Sequence, residues 1–175
     1  MKKTPPMSVL ETERLVLRRL TAEDAAFVLE LVNDPAWLRF IGDRGVRTVE
    51  DARGYILKGP AASYERHGFG LYLTELKEGG APLGICGLIK RESLEDVDLG
   101  FAFLPEFWGR GYASESAAAV LEYARGAFGL KRLVAVTSND NHASIRLLEK
   151  LGFRFERMVR LSADDEEIKL FALDL

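Results

Sequence analysis

One segment of the chain combines a strand end, two closely spaced glycines and a helix start, an arrangement suited to binding phosphate. It runs from Phe101 to Ser114, and Gly109 and Gly111 flank Arg110. Glycine lets the backbone turn so that successive N–H groups converge, and a helix start adds unpaired N–H groups at the positive end of its dipole. About four or five such hydrogen bonds, each worth about 1.5–3 kcal/mol, would anchor a pyrophosphate. On glycine spacing alone, a plain strand-to-helix turn explains the segment equally well, because it matches neither a Walker loop nor the dinucleotide fingerprint.

The elements that position this segment are predicted from hydrophobic periodicity. Helix-start patterns at Thr21 and Thr48 predict two early helices, whereas 33–40 is expected to be a loop. Alternating apolar residues predict a three-strand antiparallel meander that ends at Phe103. The predicted order continues with a helix, a strand, a second helix and a final hairpin, which indicates an α+β fold in one domain. The predicted ranges are strand 14–20, helices from 21 and 48, strands 69–73, 82–90 and 97–103, helix 112–128, strand 132–137, helix 141–151, and strands 153–160 and 167–173.

The length, charge and composition of the chain argue against several classes of protein function. The chain has 175 residues, room for one domain that spans 1–175 with an ordered core of roughly 8–174. Its net charge of −3 argues against nucleic-acid partners, and it contains no apolar run long enough for a membrane span. The opening Met1–Pro6 predicts no secretory signal. A single cysteine, Cys86, fits a reducing cytoplasm and is expected to be buried in a strand.

Two motifs resemble those of a known family. Trp108–Ala113 resembles the acyl-CoA-binding motif Q/R-x-x-G-x-G/A of the GNAT acetyltransferase superfamily, and Asn141–Phe153 is similar to its second signature. Thr12–Arg18 is similar to the opening of the branch that contains the ribosomal-protein N-terminal (Rim-type) acetyltransferases. The resemblance implies a GNAT-like fold, a central mixed and mostly antiparallel sheet flanked by helices. It also implies an N-acetyltransferase that uses acetyl-CoA as cosubstrate and no metal.

The resemblance implies particular cofactor contacts. Phe103 and Leu104 would pair their backbone with the pantetheine arm, and Asn141 would bond the same arm. The pyrophosphate would lie in a backbone cradle formed by Gly109, Arg110, Gly111, Tyr112, Ala113 and Ser114.

The sequence departs from the family pattern at Trp108, where Gln or Arg is usual, and at Leu148, where many members have a tyrosine that protonates the leaving thiolate. Ser144 therefore becomes the candidate acid, as in the resembling branch. The alternative is that Asn141 caps the helix and Ser144 is only a first-turn residue. His142 is expected to be exposed.

The candidate base is less distinct. Roughly a tenth of an α-amine is in the neutral, nucleophilic form at pH 7, whereas for a lysine side chain the neutral fraction is below about a thousandth. An N-terminal acceptor therefore needs only a weak base or solvent to remove its proton. Asp98, on the strand face opposite Phe101 and Phe103, is the best-placed carboxylate, and a solvated strand charge is its alternative. Glu106 is closer to the glycines but is expected in an exposed turn.

The acceptor amine is not specified by the sequence. Trp37 and Phe40 are candidates for the wall of an acceptor slot, or else core residues. A protein N-terminus, a small-molecule amine and a non-catalytic acetyl-CoA-binding role are all left open, as is a homodimer.

Overall fold

The computed structural model describes residues 8–175, so the Met1–Pro6 prediction lies outside the described residues. Eight strands form a single sheet in the order β1-β2-β3-β4-β5-β6-β8-β7. The strands are β1 (Ser8–Glu11), β2 (Leu15–Arg19), β3 (Leu71–Leu76), β4 (Pro82–Ile89), β5 (Asp98–Phe103), β6 (Arg132–Thr137), β7 (Arg154–Val159) and β8 (Ile168–Asp174). The helices are α1 (Ala25–Val32), α2 (Pro35–Phe40), α3 (Val49–Ile56), α4 (Ala62–His67), α5 (Tyr112–Phe128) and α6 (His142–Lys150).

The sheet is antiparallel except for one central pair. β1 to β5 pair in antiparallel order, β6 and β7 each pair with β8 in the same way, and β5 runs parallel to β6. The predicted meander, the final hairpin and the α+β class are therefore confirmed. The parallel pair needs a long crossover, and α5 supplies it.

Both predicted helix starts are present as capping boxes. Thr21 with Asp24 begins a short 3-10 turn before α1, and Thr48 with Asp51 begins α3. The second predicted helix is not uniform, because a π-helical turn at Leu57–Ala61, which contains Pro60, separates α3 from α4. A proline inside a helix removes one backbone donor, and a widened turn is a common way to accommodate it.

Two elements differ from the sequence prediction. Residues 33–40 are not a loop throughout, because Asp34 caps α2 and Pro35 occupies its first turn. This is the usual N-terminal place for proline, and the Asp-Pro pair could have been read as a helix start. The edge strand β1 was also missed, since it is only four residues long and no residue in it is buried.

The core lies on both faces of the sheet. One cluster includes Leu17, Cys86 and Val120 and packs α5 against the sheet, while the other includes Val28 and Ile56 and packs α1 and α3 on the opposite face. Cys86 is fully buried, as predicted. Within residues 8–175, no helix is long and apolar enough to cross a membrane.

Candidate active site

The two central strands separate immediately after they meet. β5 and β6 are paired only at Asp98 and Val134, and the amide of Val134 donates to the Val97 carbonyl at 3.0 Å. On the β4 side, the amide of Leu104 donates to the Leu83 carbonyl at 2.9 Å. Because backbone groups alternate along a strand, those of Phe101 and Phe103 face the gap between β5 and β6.

A groove of about 560 Å³ runs from this gap to the glycine-containing loop, and we call it the glycine-loop groove. Seven of the nine predicted cofactor residues line it, whereas Leu104 and Arg110 do not. The seven are Phe103, Gly109, Gly111, Tyr112, Ala113, Ser114 and Asn141.

The loop presents open backbone to the groove. Gly109 and Gly111 have φ values of 77° and 81°, which side-chain-bearing residues rarely adopt. Gly111 is the N-cap of α5, and it has no side chain that could cap the first amide groups of this helix. A Cβ placed on Gly109 would have no described atom within 4 Å. Unpaired helical N–H groups beside open space suit an anionic ligand.

The strand end next to the loop differs from the sequence prediction. The Leu104 amide donates to Leu83 on the β4 side, and its carbonyl accepts from the Phe107 amide at 3.0 Å, so both backbone groups of Leu104 already have partners inside the protein. The Phe103 carbonyl accepts from the indole nitrogen of Trp108 at 2.8 Å. Phe101 was not among the predicted cofactor residues, but its backbone faces the gap beside that of Phe103 and is placed to pair with an extended ligand.

Arg14 supports the loop from the opposite side, and its role was missed. Its guanidinium donates to the Arg110 carbonyl at 2.9 Å and to Glu115 at 2.8 Å, and lies 4.5 Å from the centre of the Tyr112 ring. Thr12 donates to the same Glu115 carboxylate at 2.5 Å. Thr12 and Arg14 belong to the opening motif at 12–18, for which the sequence alone predicts no role.

A second cavity, of about 530 Å³, lies on the other side of the strand separation, and we call it the Asp98 cavity. It is bordered by the segment from α3 to α4, by β5 and by α6. The glycine-loop groove and the Asp98 cavity meet, because six residues line both. These are Trp37, Ile41, Phe101, Ala102, Val136 and Ser144.

Asp98 is not the solvated charge that was its alternative interpretation. Its side chain is 1% exposed and its carboxylate lies 2.6 Å from Nε of Arg91. Burial raises the pKa of Asp98 to about 6, although the charge and hydrogen bond of Arg91 act to lower it. A carboxyl with a pKa near the operating pH can accept a proton at pH 7. Glu106 is exposed in a short turn, as expected.

Ser144 lies where the two cavities join. Asn141 caps α6 by accepting from the Ser144 amide at 3.2 Å, so the capping interpretation is confirmed for the amide. In the described part of the chain, however, the Ser144 hydroxyl has no hydrogen-bond partner and remains available to a ligand. Leu148, one turn later, is buried and supplies only an apolar wall to the Asp98 cavity. His142 is exposed, as predicted.

The aromatic residues proposed for the acceptor wall have different positions. Trp37 is 6% exposed, belongs to the core on the α1 and α3 side, and also borders both cavities. Phe40 borders only the glycine-loop groove, and Arg39 stacks on its ring. Trp37 is therefore both a core and a wall residue.

Known proteins share both the sequence pattern and the fold. The family described as Acetyltransferase (GNAT) domain matches residues 14–154. The uncharacterized N-acetyltransferase YoaA of Bacillus subtilis (strain 168) is 33% identical over 154 residues, covering 87% of this chain and 86% of that protein. A GNAT-family acetyltransferase from Bacillus anthracis is 26% identical with a TM-score of 0.77, covering 94% and 97% of the two chains.

A second similar solved structure contains coenzyme A. The ribosomal L7/L12 α-N-protein acetyltransferase RimL in complex with coenzyme A has a TM-score of 0.81 at 20% identity, covering 97% of this chain and 98% of that one. At that identity the likeness concerns the fold. The family match over most of the chain, together with the GNAT arrangement of sheet and glycine loop, shows that this chain belongs to the GNAT acetyltransferase family and is an acetyltransferase.

Proposed function

We propose that the protein transfers the acetyl group of acetyl-CoA directly to an α-amine in a ternary complex. The observation that carries this proposal is the meeting of the two cavities at the strand separation. An acyl donor in the glycine-loop groove and an amine in the Asp98 cavity would approach each other at Phe101 and Ser144. Bringing two reactants together in this way supplies a large part of many rate enhancements.

The glycine-loop groove fits acetyl-CoA at two points. The uncapped start of α5 and the open backbone at Gly109 and Gly111 suit the pyrophosphate. The strand edge at Phe101 and Phe103 suits the amides of the pantetheine arm, with the Phe103 carbonyl shared with Trp108. Asn141 can donate from its amide nitrogen while its oxygen caps α6. Acetyl-CoA supplies the activated thioester.

In the proposed reaction the amine nitrogen forms a bond to the acetyl carbon as the carbon–sulfur bond breaks. Asp98 receives the proton that the amine loses, because a carboxyl with a pKa of about 6 is mostly ionised at pH 7. Such a weak base is sufficient for an α-amine but poorly matched to lysine. The Ser144 hydroxyl donates a proton to the departing thiolate and regains one from solvent.

A covalent acetyl-enzyme is not part of this proposal. Cys86 is fully buried, and burial raises the pKa of its thiol to about 12, so the reactive thiolate is scarce. Direct attack by the acceptor amine is then the simpler route.

The test is thiol release from acetyl-CoA in the presence of peptides with free or blocked N-termini, alongside aminoglycosides and polyamines. We expect release with free α-amines and none with blocked ones. Equal release with the small polycations would favour the small-molecule alternative. Acetyl-CoA binding without thiol release for any amine would contradict the proposed reaction.

A further inference from the structure

The Asp98 cavity has a strong excess of positive charge. Five of its lining residues are Lys or Arg and only one is a carboxylate, whereas the whole chain has a net charge of −3. The charge of the cavity is therefore opposite to that of the protein. The five basic residues are Arg44, Lys58, Arg66, Lys90 and Arg91.

Two of these cations have partners inside the protein. Arg91 is paired with Asp98 at 2.6 Å, and the ammonium of Lys90 donates to the carbonyls of Arg91 and Leu94 at 3.0 and 2.5 Å. The other three, Arg44, Lys58 and Arg66, make no ion pair with any carboxylate of residues 8–175.

The three unpaired cations lie at the solvent side of the cavity and come from different elements. Arg44 is in the loop after α2, Lys58 is in the π-helical turn, and Arg66 is in α4, and all three are exposed. Burial raises the pKa of Tyr55, which also lines the cavity, and the charges of Arg44 and Arg91 oppose that rise. A molecule that enters the cavity therefore passes through a positive field.

We infer that the acceptor carries a carboxylate within a few atoms of the amine that is acetylated. The inference rests on the proposed function. A carboxylate would interact favourably with the unpaired cations, while polyamines and aminoglycosides would be repelled by them. The carboxylate has two sources, an acidic residue at or near a peptide N-terminus or the α-carboxylate of a free amino acid.

The experiment compares acceptors that share the α-amine and differ in the charge of a neighbouring group. Tripeptide amides with the sequence Ala-Asp-Gly are paired with Ala-Asn-Gly and Ala-Lys-Gly, and free glutamate is paired with glutamine and with the α-amide of each. We expect kcat/KM to fall about tenfold or more from the Asp to the Lys peptide, and the preference to weaken as salt rises from about 0.05 to 0.3 M. The free amino acids and their amides show which source is used.

Variants connect the preference to the cavity. Arg66→Gln and Arg44→Gln should each raise KM for the acidic acceptor about threefold, the effect of one unit charge over about 7 Å in a water-like dielectric. The kcat value, the acetyl-CoA affinity and the KM for the amide acceptor should not change. Arg53→Gln is the matched control, because Arg53 is also on this helical segment but pairs with Glu50 and does not line the cavity.

Equal kcat/KM for the acidic and amide acceptors, or equal effects of Arg66→Gln and Arg53→Gln, would overturn the inference while leaving the proposed transferase reaction intact. If no amine releases thiol, the proposed function fails, and the charge inference is judged separately by binding. In that case N-acetylglutamate should still bind more tightly than N-acetylglutamine amide in calorimetry, and equal affinities would contradict it.

Discussion

The buried carboxyl of Asp98 leads to a quantitative prediction about how the stability of the protein changes with pH. Its pKa is raised from 3.8 to about 6 in the folded protein, so between about pH 4 and 6 the native state binds more protons at this group than the unfolded state does. The stabilising contribution is therefore fully present below about pH 4 and is lost as pH rises through 6. The rise in the pKa of Asp98 from 3.8 to about 6 corresponds to about 3 kcal/mol in the free energy of unfolding.

The variant Asp98→Asn isolates this contribution. Asparagine keeps an oxygen that can accept from Arg91 but does not titrate, so we expect wild type to gain about 2.5 kcal/mol of stability relative to the variant between pH 7 and pH 4. The free energies of unfolding of the two proteins are subtracted because Asp43 and Glu115 have lowered pKa values, which change stability with pH in the opposite direction. Their contributions are present in both proteins and cancel in the difference.

The assay is urea unfolding of both proteins at half-unit steps from pH 4 to 7. Glu122→Gln, an exposed carboxylate on α5, controls for the loss of one negative charge. The free energy of unfolding of wild type minus that of Asp98→Asn should rise as pH falls. A difference that is constant with pH, or that declines as pH falls, would refute the assignment of a raised pKa to this buried carboxyl.

Four further predictions concern the two cavities. Saturating acetyl-CoA at a hundred times its Kd should stabilise the fold by about 2.7 kcal/mol, and an unchanged melting temperature would contradict the groove assignment. Gly111→Val should abolish acetyl-CoA binding in calorimetry, because φ is 81° at this position and the added Cβ would lie 3.3 Å from the Arg14 guanidinium. Retained binding by a variant with a folded circular dichroism spectrum would show that the pyrophosphate binds elsewhere. Ser144→Ala should lower kcat by about 10²-fold with little change in acetyl-CoA affinity, whereas full wild-type kcat would leave solvent as the acid. Arg14→Gln should weaken acetyl-CoA binding, with partial rescue in Arg14→Lys, and equal Kd values in all three proteins would show that the loop does not need its support.

Periodicity and helix-start patterns predicted nearly every element that forms the site. The range predicted for α5 is the observed one, and the meander has the expected order, because regular alternation and helical spacing directly reflect which face of an element is buried. The glycine spacing predicted a tight turn for the same kind of reason, since positive φ values at Gly109 and Gly111 restrict residue type locally, whereas the cofactor role of this loop was implied by the resemblance to the GNAT motif.

Contacts between distant segments were not predictable in the same way. The support of Arg14 for the loop depends on Glu115, which is about a hundred residues away in sequence, and nothing in the local pattern of either residue indicates the pair. The burial of Asp98 likewise depends on its ion pair with Arg91, in the connection before β5. The bonds of Leu104 were missed because strand register is a property of two segments together.

The single pairing between β5 and β6 divides the backbone ladder into two parts, one formed by β1 to β5 and the other by β6, β8 and β7. Beyond Asp98 the two parts are held together by side-chain packing around α5 and α6 rather than by interstrand bonds. An extended ligand that pairs with Phe101 and Phe103 would act as a temporary extra strand along this seam. Amide hydrogen exchange should then slow at those two positions when acetyl-CoA is added, which makes the seam a direct reporter of cosubstrate occupancy in the absence of any acceptor.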